Sequence, residues 1–177
     1  MPRLQVVEPG SAAGEVKEIF DGPLAGKHFN IFKGMANSPA VLRLYLKMNE
    51  ALAGASLSDK EKEIVQLVVG QANGCDYCLA AHTAIGKGAG LSEDQTKQAR
   101  RGSVEGDAKL GALSKFAAAL HEKKGFVGDD DLSAFKNAGY DDGAVAEVVG
   151  VYALATFTNY FNHVNESDVD FPAAPAI

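Results

Sequence analysis

The only two cysteines of the chain have two residues between them, and a histidine follows the second one closely. Cys75, Cys78 and His82 are separated by three and then four positions, the spacing that stacks side chains along one face of an α-helix. The preceding Gly74 suits the left-handed turn that ends a helix. The sequence therefore predicts a helix that begins near Cys75 and carries both sulfurs and the imidazole on one face.

A second helix is predicted immediately before this one. Ser58 and Glu61 have the spacing of a capping box, which marks a helix start, and apolar positions then recur with helical period up to Asn73-Gly74. Because the connection is so short, residues 58–73 and 75–89 are expected to pack against each other as an antiparallel helix hairpin.

Helical periodicity also extends over most of the remaining chain, for example over residues 24–35 and 141–164. No stretch shows the sustained period-two alternation of a β-strand bounded by hairpin turns. We therefore predict an all-α fold: a single domain of about eight helices, with the hairpin at its centre. Residues 1–12 are expected to form an N-terminal arm and residues 166–177 a C-terminal tail.

The composition of the chain argues against some classes of binding partner. With 177 residues, 46% of them hydrophobic, the chain is long enough for one domain with a sizeable core. A net charge of −6 argues against nucleic acid and anionic membranes as partners. The N-terminus lacks the apolar region of a secretory signal, and the longest apolar stretch, residues 145–157, is too short to span a bilayer. A cytoplasmic location is expected.

In a reducing compartment a purely structural disulfide is unusual, so a close cysteine pair is more often redox-active or metal-binding. The positive end of the helix dipole also favours a thiolate at a helix N-terminus. Glu63, on the preceding helix, can face His82 across the hairpin if the two helices have suitable rotations. A carboxylate there would orient the imidazole, which could then take a proton from Cys78, directly or through a water molecule.

Glu63, Cys75, Cys78 and His82 together match the pattern E-x₁₁-C-x-x-C-x-x-x-H. In this pattern the chain resembles the AhpD-like alkylhydroperoxidases of the carboxymuconolactone decarboxylase superfamily. The similarity covers roughly residues 36–102. The late segment 159–163, Asn-Tyr-Phe-Asn-His, resembles a sequence common in the peroxidase-related branch of that superfamily.

The resemblance implies an all-helical subunit that reduces hydroperoxides. Cys78 would be the peroxidatic thiolate, Cys75 would resolve its sulfenic acid to a Cys75–Cys78 disulfide, and Glu63 and His82 would relay protons. It further implies a homotrimer or homohexamer and an unidentified dithiol reductant, either lipoyl-bearing or thioredoxin-like. No cofactor and no metal are expected.

One position departs from the pattern: better-studied members of the family have a second histidine where this chain has Tyr77, and tyrosine does not readily exchange a proton near neutral pH. Alternatives therefore stay open, namely a non-catalytic thiol redox sensor, a metal-binding module or a general disulfide reductase. A structural zinc site would need further ligands, and His28, His121 and His163 are scattered along the chain. His163 is interpreted as a partner of the negative end of the last helix.

Overall fold

The computed structural model describes residues 1–177 and contains nine α-helices and no β-strand. A single 3₁₀ turn, Pro9–Ser11, precedes the first helix. The all-α prediction is confirmed, with nine helices where the sequence indicated about eight. In chain order the helices are α1 (Gly14–Asp21), α2 (Asn30–Met35), α3 (Pro39–Ala53), α4 (Asp59–Ala72), α5 (Asp76–Gly88), α6 (Glu93–Arg100), α7 (Ala108–Glu122), α8 (Asp129–Asn137) and α9 (Asp142–Asn165).

Helix α4 begins with the capping box that the sequence predicts. The Glu61 N–H donates to Ser58 Oγ at 3.3 Å, and the Ser58 N–H donates to the Glu61 carboxylate at 2.9 Å. Both groups would otherwise be left without a partner in the first turn. The start of α4, and with it the rotation of every later side chain on this helix, is therefore fixed by local chemistry.

The segment before α2 differs from its prediction. Residues 24–35 have a helical pattern, but the helix begins only at Asn30. Gly26 adopts a left-handed φ of 72°, which interrupts any helix, while Leu24 is nevertheless buried. The first turn of α2 is instead capped from the far end of the chain, because the Asn30 N–H donates to Asp170 Oδ2 at 2.7 Å.

The predicted hairpin is formed by α4 and α5, which pack closely together. Gly74 takes the left-handed φ of 67° expected of a residue that ends one helix and starts a turn. The Cys75 N–H then donates to the Gly70 carbonyl at 2.9 Å, which closes the connection. Helix α4 is also the centre of the domain, since α6, α7 and α9 pack against it as well.

Two hydrophobic cores meet at the start of α5. The larger core joins α4, α7 and α9 and contains fully buried side chains such as Leu67, Leu113 and Val148. The smaller core joins α1, α2 and α3 and also includes Cys75, Tyr77 and Cys78. The cysteine pair therefore lies at the boundary where the N-terminal helices cover the central hairpin.

Helix α9 is the longest in the domain. By length and composition it is the one helix that could cross a membrane. In the fold, however, Val148, Val151 and Ala155 belong to the larger core, and the helix packs along α4, α3, α5 and α2. This is the position of a core helix within a globular domain.

Candidate redox-active site

The two cysteine sulfurs are bonded to each other at the N-terminus of α5. Cys75 is the N-cap residue and Cys78 lies in the first turn, with 5.3 Å between their Cα atoms. The Cys78 N–H donates to Cys75 Sγ at 3.3 Å, so the first sulfur accepts one of the free N–H groups of the helix end. Both residues are buried, at 1% and 2% exposure, so neither sulfur lies on the open surface of the domain.

Glu63 and His82 meet across the hairpin. The distance from Glu63 Oε2 to His82 Nδ1 is 2.8 Å, and the two side chains are only 12% and 17% exposed. Because a carboxylate accepts hydrogen bonds and donates none, this contact favours the imidazole tautomer with its proton on Nδ1. The other nitrogen, Nε2, is then a free base.

The rotation of α4 explains why Glu63 points toward α5. Two residues earlier, Glu61 faces the opposite side of the helix and accepts hydrogen bonds from the Tyr140 hydroxyl at 2.8 Å and from Lys109 Nζ at 3.3 Å. Burial by itself would raise the pKa of Glu61, but the hydrogen bonds from Ser58, Tyr140 and Lys109 outweigh it and hold the pKa below its ordinary value. The two glutamates of α4 thus face opposite sides of the helix, Glu61 toward Tyr140 and Glu63 toward His82.

A cavity of about 540 Å³ joins these groups. Cys78, Glu63 and His82 all line it, whereas Cys75 does not. The rest of its wall is mainly apolar and aromatic, with contributions from α2, α3, α9 and the C-terminal tail. The larger hydrophobic side chains of this wall are Leu24, Phe29, Ile31, Phe32, Tyr45, Leu46, Tyr77, Ile85, Leu154 and Phe171. The site therefore suits a compact, largely apolar molecule brought against Cys78.

Tyr77 is buried beside the cysteines, but its hydroxyl makes no hydrogen bond to either sulfur. The Ile31 N–H donates to the Tyr77 hydroxyl at 3.4 Å. Burial, together with a hydrogen bond to Asp170, raises the pKa of Tyr77. The phenol therefore stays protonated and packs as part of the wall, and it does not replace a histidine as a proton carrier.

The hydrogen-bond partner of the second sulfur was not singled out from the sequence. Asn162 Nδ2 donates to Cys78 Sγ at 3.4 Å, and Asn162 is 4% exposed. In the sequence this residue stood out only as part of the segment that resembles the peroxidase-related branch. A buried asparagine on the apolar face of a long helix is the feature that could have identified it, because such a polar group needs a partner.

The remaining histidines do not line the cavity. His163 is exposed and stacks on Tyr160. His28 contacts the Phe20 carbonyl at 3.1 Å, and His121 contacts the Tyr152 hydroxyl at 3.1 Å. No group of three or more His, Cys, Asp or Glu side chains is arranged to hold a metal ion.

The C-terminal tail contributes to the mouth of the cavity. Asn30 Nδ2 donates to the Asp168 carbonyl at 3.0 Å, which fixes the tail against α2. The Phe171 ring then lies 4.6 Å from the Phe29 ring and 5.8 Å from the Tyr77 ring. Residues 166–177 are without helix, yet part of this segment forms one wall of the site.

Comparison with known proteins agrees with this architecture. A peroxidase-related protein with an alkylhydroperoxidase AhpD core from Ralstonia eutropha JMP134 superposes with a TM-score of 0.84 at 20% identity, covering 96% of this chain and 92% of that one. A peroxidase-related protein from Silicibacter sp. TM1040 gives 0.80 at 21% identity, covering 94% and 89%.

A variant of the debrominase Bmp8 in complex with 2,3,4-tribromopyrrole gives a TM-score of 0.77 at 16% identity, covering 96% of this chain and 94% of that one. No curated protein sequence matches the chain significantly. Residues 39–122, which include the whole hairpin and its four site residues, match the carboxymuconolactone decarboxylase family. Residues 39–122 thus match the carboxymuconolactone decarboxylase family, and the chain as a whole has the helical fold of the two peroxidase-related proteins.

Proposed function

We propose that the protein is a cysteine-based hydroperoxide reductase. One observation carries this proposal: Cys78, joined to Cys75, lines the same apolar cavity as the hydrogen-bonded Glu63–His82 pair. A redox-active sulfur, a base held in one tautomer and a binding space for an organic molecule are therefore adjacent. These are the parts that two-electron reduction of a hydroperoxide by thiols requires.

The first step consumes the hydroperoxide. The Cys78 thiol gives its proton to His82 Nε2, directly or through water, and Glu63 stabilises the resulting imidazolium. The thiolate attacks the terminal peroxide oxygen, so that an S–O bond forms and the O–O bond breaks. His82 returns the proton to the departing alkoxide, which leaves as an alcohol, and Cys78 is left as a sulfenic acid.

The second step forms the disulfide seen in the structure. Cys75 attacks the sulfenic sulfur, and the hydroxyl leaves as water after taking up the thiol proton. In total, one hydroperoxide and two thiols give one alcohol, one water and the Cys75–Cys78 disulfide. An external dithiol then reduces this disulfide for the next cycle.

Burial of the sulfurs favours this function over a general disulfide reductase. A reductase of protein disulfides must bring its attacking sulfur against a sulfur of another folded chain, whereas Cys75 and Cys78 are 1% and 2% exposed. Cys78 lines a cavity whose volume of about 540 Å³ fits a small organic substrate. The physiological dithiol must therefore reach Cys78 through the cavity, as a slender lipoyl arm can.

The test begins with the reduced, metal-free protein and a stoichiometric amount of cumene hydroperoxide. We expect the loss of both thiols per chain, release of the corresponding alcohol and no intermolecular crosslink. With excess dihydrolipoamide the reaction should turn over, and Cys78→Ser should abolish it. Consumption of hydroperoxide at an unchanged rate by Cys78→Ser would exclude the mechanism.

The same experiment separates the non-catalytic alternatives. A redox sensor would lose its two thiols once but would show no turnover with any dithiol donor. A metal-binding module would retain stoichiometric zinc after anaerobic purification, and the metal would be lost in Cys75→Ser and Cys78→Ser alike. Elemental analysis beside the thiol titration therefore distinguishes all three functions.

A second candidate is reductive dehalogenation of an aromatic ring, favoured by the aromatic cavity wall of Phe29, Phe32, Tyr45 and Phe171. Here one aryl bromide and two thiols would give the debrominated arene, bromide, a proton and the Cys75–Cys78 disulfide. Bromide release from a tribromopyrrole by the reduced protein, measured beside alcohol release from cumene hydroperoxide, decides between the two reactions.

The proposal extends to assembly and location. Helix α9 exposes Val149, Tyr160 and Val164, which lie along one side of the helix and suit an apolar interface between copies of the chain. We expect a homotrimer or homohexamer, to be measured by light scattering. A cytoplasmic location fits the requirement for a cellular dithiol donor.

A further inference from the structure

Cys78 Sγ receives one side-chain hydrogen bond. It comes from Asn162, whose Nδ2 atom lies 3.4 Å away on α9, a helix far from the cysteines in sequence. Asn162 is 4% exposed, and its other amide atom, Oδ1, is buried without a hydrogen-bond partner. An asparagine kept in an apolar helix interior with half of its amide unsatisfied lowers stability, so its presence calls for a functional explanation.

The surroundings of the sulfur show what this contact supplies. The ionisable groups that line the cavity with Cys78 are Lys27 before α2, Tyr45 on α3, Glu63 on α4, and Tyr77 and His82 on α5. Asp170, in the tail, lies near Tyr77 and helps to raise the pKa of that phenol. None of these side chains donates a hydrogen bond to Cys78 Sγ, and α9 offers no charged group at this point.

Burial disfavours a thiolate, because the charged form loses its hydration. The N-terminal position of Cys78 on α5 offsets part of this cost through the helix dipole. A fixed N–H donor aimed at the sulfur offsets more, since hydrogen bonds to a charged partner are stronger than those between neutral groups. Only the amide orientation with Nδ2 toward the sulfur can act in this way.

We propose that Asn162 is a catalytic residue that stabilises and orients the Cys78 thiolate by donating its amide N–H to the sulfur. The amide neither takes up nor releases a proton near neutral pH, so the thiol proton still goes to His82. Asn162 lowers the free energy of the anion that remains. The proposal rests on Cys78 as the attacking atom of the proposed function, but it does not depend on which substrate is attacked.

The experiment measures the acidity of Cys78 itself. In the Cys75→Ser background Cys78 is the only thiol, and its rate of alkylation by iodoacetamide is followed against pH. We expect Asn162→Leu, which has a similar size and no donor, to raise the midpoint of this profile by about one pH unit or more. At a pH below both midpoints, alkylation should slow by about tenfold.

Thr158→Val is the matched control, because Thr158 lies one turn earlier on α9 and lines the same cavity. Its hydroxyl bonds to the Leu154 and Ala155 carbonyls of its own helix, at 3.2 Å and 3.0 Å. This substitution should leave the midpoint unchanged. Asn162→Ser is a second test variant, used in case Asn162→Leu does not fold. Its hydroxyl can donate to a carbonyl of its own helix, as that of Thr158 does. We expect it to raise the midpoint as well.

A folded Asn162→Leu or Asn162→Ser protein with the midpoint of its parent would overturn the proposal. Because alkylation involves no peroxide, the result is independent of the proposed function. A raised midpoint in a protein that consumes no hydroperoxide would refute the reductase and leave the role of Asn162 intact. Peroxide turnover with an unchanged midpoint would refute the role of Asn162 and leave the reductase intact.

Discussion

Glu63 and His82, which are 19 residues apart in the sequence, share a hydrogen bond of 2.8 Å between Oε2 and Nδ1. Two helix starts produce this contact. The capping box at Ser58 sets the rotation of α4, and Gly74 allows α5 to begin directly after the turn. The contact is nearly shielded from water, so it orients the imidazole more firmly than an exposed pair would.

The first prediction concerns this pair. Glu63→Gln keeps the size of the side chain but removes the charge that stabilises a protonated imidazole. We expect kcat for cumene hydroperoxide to fall by about 10² or more, because general acid–base catalysis contributes about 10²–10⁴ to a rate. The affinity for the substrate should change little, so the loss should be in kcat and not in KM.

Glu61→Gln is the control for this measurement. It changes a second buried carboxylate of α4 that faces away from the cavity, and it should retain kcat at a temperature where the protein is folded. If Glu61→Gln and Glu63→Gln reduce kcat equally, the effect comes from a disturbed helix, and Glu63 has no separate role in proton transfer.

Much of this arrangement follows from local sequence patterns. The capping box, the Asn73-Gly74 turn and the spacing of Cys75, Cys78 and His82 are each encoded within a few residues. Such patterns also predict the all-α class, because the helical spacing of apolar residues can be read from the sequence without knowing which helices pack together. The hairpin and the face that carries the site could therefore be predicted without a structure.

Contacts between distant segments could not be predicted in this way. The hydrogen bond from Asn162 to Cys78 spans 84 positions, and the one from Asn30 to Asp170 spans 140. No short pattern connects residues so far apart. The late start of α2 has the same origin, since a carboxylate from the tail caps the helix and the apolar residues before it reach the core through turns.

The second prediction concerns the order of the sulfur chemistry. Cys75→Ser removes the resolving thiol but leaves Cys78, its cavity and the Glu63–His82 pair in place. One equivalent of hydroperoxide should then convert Cys78 to a sulfenic acid that persists, because no neighbouring thiol attacks it. Intact mass spectrometry should show the gain of one oxygen atom, and dimedone should label Cys78.

Cys78→Ser is the reciprocal variant for this experiment. It retains Cys75, which does not line the cavity, and it should gain neither oxygen nor dimedone under the same conditions. Labelling of Cys75 in the Cys78→Ser protein at the rate found for Cys78 would reverse the assignment of the two thiols.

The third prediction is a dependence of stability on pH. The folded state holds the pKa of Glu61 below its ordinary value, so this carboxylate stabilises the fold above the unfolded pKa of about 4.3. That contribution is lost as the pH falls through the lower, folded pKa. Glu61→Gln should cost about 1–3 kcal/mol of unfolding free energy at pH 7, measured by urea denaturation, and the cost should shrink in acid.

The control for Glu61→Gln is a change at a carboxylate that forms no salt bridge. Glu122 is exposed at the end of α7 and forms no salt bridge, so Glu122→Gln should leave the unfolding free energy within about 0.5 kcal/mol at either pH. The unfolding free energies of the parent protein and of Glu61→Gln are compared as the pH falls. If their difference stays constant, the charge of Glu61 does not stabilise the fold.

The last prediction concerns the wall that the tail adds to the cavity. The Phe171 ring packs beside the Phe29 and Tyr77 rings and lines the cavity that Cys78 also lines. Phe171→Ala removes apolar surface that a bulky substrate would cover, so KM for cumene hydroperoxide should rise by roughly fivefold to tenfold with little change in kcat. Hydrogen peroxide is too small to contact this wall, and its kcat/KM should stay the same.

Phe126→Ala is the control, at a phenylalanine that is 88% exposed, and it should change kcat/KM for neither substrate. Equal losses with cumene hydroperoxide and hydrogen peroxide in Phe171→Ala would mean that the ring supports the fold around Tyr77 and does not contact the substrate.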